Sequence, residues 1–206
     1  MAIELYSWPH SSGTRVAWAL EELGVPYKYV ALDAKKQEHL TPHYLTVNPH
    51  GKVPALVDDG QRYFESAAIL LHLGDRYGVA KGLWPAPGGQ AHADALCWTV
   101  WAISELMEYM MQYLYHGMDT PVSYPPQHRS QAAAEYCLAQ LRRQLQALET
   151  QLDARDSLLG AFSLADVAAG SVLALGVGFG LELDRHPRAA AWCARCTGRP
   201  AFKRAR

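Results

Sequence analysis

Cysteine is scarce in this chain: Cys97, Cys137, Cys193 and Cys196 are too few and too scattered for the disulfide framework of a small secreted protein. An excess of charge is missing as well. With 19 Lys and Arg against 20 Asp and Glu and a formal net charge of −1, no surplus of cations exists to neutralise nucleic-acid phosphates or an anionic membrane, so neither partner is expected. No apolar run approaches the ~20 residues that span a bilayer, and MAIELYSW lacks the basic and apolar regions of a secretory leader; a cytoplasmic location is expected. The CxxC of Cys193 and Cys196 has no second pair to complete a zinc site. It also sits in WCARCTGRP near the C-terminus, where redox motifs that follow a first strand do not occur, so it reads as packing. His39 and His43, four apart, lack an assured carboxylate partner, and no metal is expected. The glycines of LGVGFGL lack the spacing of a dinucleotide site and read as a loosened helix end.

What remains is apolar and aromatic: half of the 206 residues are hydrophobic, with six Trp and eleven Tyr, which is the composition of a folded globule. Periodicity divides the chain. IELY reads as a strand, SSGTRVAWALEELG as a helix ended by Gly24, and YKYVAL as a second strand. Residues 36 to 46 are helical or irregular, NPHG is a turn, and VPALV and RYF are strands around the hairpin signal DDGQ, followed by the helix ESAAILLHLGDRYG. Residues 1–80 therefore spell βαβ(α)ββα, a small α/β layer. KGLWPAPGG, within 81–90, is a linker that neither helix nor strand tolerates. Residues 91–206 are all-helical: a long helix to about 117, a loop at PVSYPP, a stripe at Leu138, Leu141, Leu145, Leu148 and Leu152, and a capping box at Phe162-Ser163-Leu164-Ala165-Asp166-Val167. The basic tail Lys203, Arg204, Arg206 reads as a solvated helix end.

Three places offer chemistry. LYSWPHSSGTR opens a helix with Ser11 and Ser12, where free amides and the helix dipole favour a thiolate or phosphate, or where one serine is simply the N-cap. In VNPHGKVPALV a tight turn precedes Val53-Pro54. Either that bond is cis and leaves the Val53 main chain open to pair with a bound peptide, or Pro54 merely starts a strand. In FESAAILL, Glu65 and Ser66 begin a helix and would hold the ammonium and carboxylate of an amino-acid head, or Ser66 is only a cap.

In order and spacing, SSGTRV, EHLTPHYLTVNPHGKVPALV, FESAAIL, FSLADVAAGSV and HPRAAAWCARCTGRPAFKRA together resemble the glutathione S-transferase family over essentially the whole chain. The resemblance implies a thioredoxin-like α/β N-terminal domain and an all-α C-terminal domain, with glutathione as co-substrate. In the serine-type classes the catalytic serine stands four residues before the helix arginine. Arg15 thus points to Ser11, with Ser12 next and Tyr6 the tyrosine-type candidate. Val53 would pair with the cysteinyl main chain beside a cis Pro54, Glu65 and Ser66 would take the γ-glutamyl end, and His39, Lys52 and His50 would meet the glycine carboxylate. Leu40 stands where the plant-type pattern has a lysine, which shifts that contact toward Lys52. No cysteine precedes Cys97, so the cysteine-type classes do not fit. A small hydrophobic electrophile would meet Glu105, Tyr109 and Tyr113, and the resemblance implies a homodimer. Two alternatives are a glutathione-dependent isomerase of the maleylacetoacetate type, whose SSCxWRV start is only partly matched, and a non-catalytic interaction protein on the same fold.

Overall fold

A computed structural model describes residues 3–205; Arg206 of the basic tail lies outside the described residues. The chain forms two compact units, one made of the residues up to Ala93 together with those from Gly198 onward, the other of Asp94–Thr197.

In the first unit, β1 (Ile3–Ser7) alternates buried and half-buried residues, as a strand with dissimilar faces must. After α1 (Gly13–Leu23), β2 (Tyr27–Ala31) pairs parallel with β1. β3 (Ala55–Asp58) and β4 (Gln61–Phe64) complete a sheet of order β2-β1-β3-β4, with β3 antiparallel to both neighbours. Asp59 and Gly60, both at positive φ (54° and 80°), turn the β3–β4 hairpin as a type I′ loop requires. The register sets Tyr6 opposite Ala55 and Leu5 opposite Leu56. One face therefore buries Leu5 and Leu56 completely, along with Leu20 of α1 and Ile69 and Leu70 of α3 (Ser66–Leu73). The other packs Tyr6, Val53 and Ala55 around Tyr44 of α2 (Pro42–Leu45) and Val47. α3 runs on through a π turn at Gly74–Gly78.

The last helix of the described residues, α9 (Pro200–Arg204), belongs to this unit and lies against α1. Arg199 forks onto Glu22 at 2.6 and 2.7 Å, the Trp18 indole donates to the same carboxylate at 2.9 Å, and Phe202 meets the Trp18 ring edge-on at 4.9 Å. Arg204 of the basic tail is paired, its Nε 2.6 Å from Glu21.

The second unit is helical. The expected long helix is α4 (Gln90–Trp101) and α5 (Met107–Gly117) joined by a π turn at Ala102–Leu106, an insertion that periodicity does not announce. α6 (Gln131–Gln151) buries Leu141, Leu145 and Leu148, as the leucine stripe requires, and α7 (Leu164–Gly178) is buried nearly all round over its first ten residues, as a central helix is. In α8 (Pro187–Gly198), Cys193 and Cys196 are both buried, and burial pushes the Cys193 thiol up to about 11. It is packing, as its position in the sequence implies. No helix of the described residues is long and apolar enough to cross a membrane.

The start of α7 is held by Asp166, fully buried, whose carboxylate accepts from Ser163 N at 2.9 Å, Ser163 Oγ at 3.0 Å, Leu158 N at 2.9 Å and Trp192 Nε1 at 2.8 Å. Asp166→Ala leaves at least three of these donors unsatisfied, and urea unfolding is expected to show a loss of about 3 kcal/mol or more at neutral pH. Burial outweighs these bonds and holds the Asp166 pKa above its ordinary value. The folded state therefore takes up this proton before the unfolded one does, and the wild type's lead over Asp166→Ala should widen as pH falls from neutral toward 4.

Candidate functional site

The site grows from the point where β1 hands the chain to α1. Ser7, fully buried at the end of β1, lies so close to the helix start that a Cβ on Gly13 would stand 1.8 Å from Ser7 Oγ, so only glycine allows the approach. Ser11 Oγ accepts the Gly13 N–H at 3.1 Å, lies 2.9 Å from Ser7 Oγ, and donates to Trp8 O at 2.7 Å. Its carbonyl also takes the Thr14 N–H. Ser11 is thus woven into the helix start, while Ser12, formally the N-cap, makes no side-chain capping bond. Tyr6 points elsewhere: its hydroxyl donates to Glu4 at 2.8 Å, which commits its proton, and burial followed by that carboxylate raises its pKa.

From the same helix the buried guanidinium of Arg15 donates to Ser66 Oγ at 3.0 Å. Burial lowers its pKa to about 10, which leaves it a cation at neutral pH. Arg15 occupies an acceptor position of the Ser66 oxygen, so the Ser66 proton is directed to another acceptor. Beside it, Glu65 is exposed and holds φ 67°, ψ 118°, a backbone state that a residue with a Cβ rarely adopts. Such strain of about 1–3 kcal/mol persists where the surroundings impose it, and it gathers at ligand sites.

On the opposite face of the sheet the turn before β3 is gripped from below. Tyr44 Oη and Asn48 Nδ2 both donate to Lys52 O, at 2.6 and 2.7 Å, and Asn48 Oδ1 accepts the His50 N–H at 3.0 Å. The following Val53–Pro54 bond is cis, and among the described residues no main-chain partner pairs with the Val53 N–H or C=O. His39 lies edge-on to Trp8 at 5.3 Å, with Nδ1 buried and without a hydrogen-bond partner among the described residues. Its carbonyl backs onto Gly51, 3.1 Å from where a Cβ would stand. His50 is exposed and packs against Phe64 at 5.3 Å, next to Glu65.

The first unit therefore joins the predicted residues through direct contacts: Arg15 links the start of α1 to Ser66, Trp8 links the end of β1 to His39, and His50 meets the strand that leads to Glu65. Sequence reasoning missed Trp8, Ser7, Tyr44 and Asn48. An aromatic directly after β1 in LYSWPH and a Tyr four residues before an Asn in HYLTVN were the only signals. In the second unit Glu105 is exposed, and Tyr109 and Tyr113 are half-buried, the Tyr113 ring lying over Gly117. Trp101 donates to Gln144 at 2.6 Å and packs edge-on with Trp98, so this pair belongs to the packing of the unit.

Chemically, the first unit offers a polarised hydroxyl at a helix start, a main chain at Val53 without a main-chain partner among the described residues, and a second helix start with a carboxylate beside it. The family model for the glutathione S-transferase N-terminal domain matches residues 1–75, and that for the C-terminal domain matches residues 107–200. Among curated proteins the chain is similar to glutathione S-transferase theta-1 of Mus musculus, 33% identical over all of this chain and 88% of the mouse protein. It is also 28% identical to the disulfide-bond oxidoreductase YfcG of Escherichia coli, over 97% of this chain and 92% of that one. Among solved structures, the glutathione transferase URE2P6 of Phanerochaete chrysosporium, in complex with oxidized glutathione, superposes with a TM-score of 0.87 at 29% identity, over 98% of this chain and 94% of its own. With both halves matched and full-length kinship to the theta-1 protein, the chain belongs to the glutathione S-transferase family.

Proposed function

We propose that the protein is a glutathione transferase that lowers the pKa of the glutathione thiol and directs the thiolate at a small hydrophobic electrophile. The observation that carries this reading is the Val53 main chain, without a main-chain partner among the described residues and held in a fixed turn. It sits in the same unit as two helix starts that suit the charged and sulfur-bearing parts of a γ-glutamyl peptide. On this reading Val53 pairs with the cysteinyl main chain, with Pro54 fixing the turn. Glu65 takes the α-ammonium and the Ser66 hydroxyl, with its proton directed away from Arg15, takes the α-carboxylate. His39, His50 and Lys52 are the groups for the glycine carboxylate, which would give the buried His39 Nδ1 a partner. Glu105, Tyr109 and Tyr113 are proposed contacts of the electrophile, and the family resemblance supports a homodimer as the working form.

A free thiol with a pKa of about 8.5 is mostly protonated at neutral pH, and lowering it by about two units takes roughly 2.7 kcal/mol of preference for the anion. The dipole of α1 and one hydroxyl donor are of the right size. Ser11 is the proposed donor: by accepting the Gly13 N–H it becomes a stronger donor itself, and its proton, on Trp8 O in the free protein, turns to sulfur. The sequence places Ser12 as the competing donor, and its hydroxyl is not used in capping.

A second reading rests on the similarity to YfcG and to a transferase solved with oxidized glutathione. The same thiolate would attack a disulfide, forming a mixed disulfide with glutathione and releasing one thiolate. A second glutathione thiolate would then release the other as glutathione disulfide forms, each departing thiolate taking up one of the two protons shed by the glutathiones. No cysteine precedes Cys97, so both attacking sulfurs must be those of glutathione.

The ultraviolet absorbance of bound glutathione thiolate against pH tests the main reading. A lowered thiol pKa is expected for the wild type, rising by about one unit or more in Ser11→Ala and by no more than a few tenths in Ser12→Ala. Failure to bind glutathione, or binding without a lowered pKa, would sink the transferase mechanism, and a shift confined to Ser12→Ala would move the donor role to Ser12. Steady-state rates with an aromatic halide and with a small disulfide separate the two readings, since the second expects turnover of the disulfide and little conjugation. Glu65→Gly is expected to split stability from binding. It relieves the positive φ and leaves the fold as stable or up to about 1 kcal/mol more so, while the KM for glutathione rises about tenfold or more, read by thermal unfolding and by kinetics.

A further inference from the structure

Ser7 has no part in the recognition scheme above, yet its hydroxyl is the nearest polar neighbour of the proposed donor on the strand side. It is fully buried, its Oγ lies 2.9 Å from Ser11 Oγ, and it also reaches Trp8 O at 3.3 Å, the carbonyl that Ser11 itself engages at 2.7 Å. Both serine hydroxyls thus lie within reach of one carbonyl acceptor. Each hydroxyl carries a single proton, so while Ser11 donates to Trp8 O, the proton between the two serines must come from Ser7.

We propose that Ser7 is a positioning residue for thiol activation, acting through Ser11. This inference rests on the reading of Ser11 as the donor to sulfur. In the free protein Ser7 donates to Ser11 Oγ beside the Gly13 N–H, while Ser11 donates to Trp8 O. When sulfur takes the Ser11 proton, Trp8 O loses a donor, and Ser7 can turn its own proton onto that carbonyl without leaving its place. The change of Ser11 from carbonyl to thiolate then strands no buried acceptor, whose cost would otherwise oppose activation. No bond to carbon or sulfur forms in this step; two protons change hydrogen-bond acceptor and no group changes charge. Gly13 keeps the arrangement tight, since any side chain there would collide with Ser7 Oγ.

The test is the pH titration of bound glutathione thiolate in a double-mutant cycle of Ser7→Ala and Ser11→Ala. Ser7→Ala alone is expected to raise the bound thiol pKa by about half a unit, with the KM for glutathione little changed, because Ser7 touches none of the groups assigned to its ends. In the Ser11→Ala background, removing Ser7 should produce no further shift. An unchanged pKa in Ser7→Ala, or an equal rise with and without Ser11, overturns the proposal. If Ser7→Ala fails to fold, Ser7→Cys, of similar shape and a weaker donor, measured in excess reduced glutathione, is expected to shift the same way, and no shift there overturns it equally. The wild-type titration keeps the two readings apart. A wild type that binds glutathione without lowering its pKa removes the transferase mechanism itself, whereas a lowered wild-type pKa that ignores Ser7 removes only this inference.

Discussion

The buried Arg15 guanidinium, 3.0 Å from the Ser66 hydroxyl, is the interaction on which the geometry of the site depends. It fastens the start of α1 to the start of α3 through two residues 51 apart in sequence, so that both positive helix ends are fixed in one unit. It also decides what the Ser66 oxygen can do, because a hydroxyl that accepts from a cation keeps its proton for another acceptor. Against this bond the remaining supports line up. Gly13 lets α1 approach Ser7, and on the far face Tyr44 and Asn48 hold the carbonyl before Val53. The groups that would touch a ligand are few, and each is set by a neighbour that would not.

How far the sequence revealed this depends on range. The β-α-β order, the Asp59-Gly60 hairpin, the leucine stripe of α6 and the start of α7 at Ser163 and Asp166 are all local patterns, and they appear where periodicity and turn chemistry put them. Ser11 and Glu65 were proposed because strand-to-helix turns are natural places for ligand groups, and Val53 because a tight turn and Pro54 flank it. Their supports were not reachable. Nothing local in Tyr44 says that its hydroxyl will meet Lys52 O, nothing in Ser7 says that its hydroxyl will meet that of a serine four residues on, and the positive φ of Glu65 is imposed from outside the residue. The π turn at Ala102–Leu106 was invisible for a related reason: it adds a residue to one turn of an otherwise regular apolar pattern.

The protein's own sulfur chemistry is arranged the opposite way from that of its proposed ligand. Cys193 and Cys196 are both buried, and burial drives the Cys193 thiol up to about 11, away from the anion. At the start of α1 there are amides, hydroxyls and a dipole, but no cysteine. A sulfur nucleophile held there has to be brought in by a second molecule. Diffusion of the spent sulfur out of the site then renews the catalyst, which a reacted side chain would not permit.

The clamp between Arg199 and Glu22 joins residues that are 177 apart in sequence. In topological terms the helical unit is an insertion within the first unit, because chain from both sides of Asp94–Thr197 is needed to build that unit. During synthesis, therefore, the sheet with its serine-bearing helix leaves the ribosome without the helix that covers Trp18, and it must wait in that unfinished state until the whole helical unit has been made.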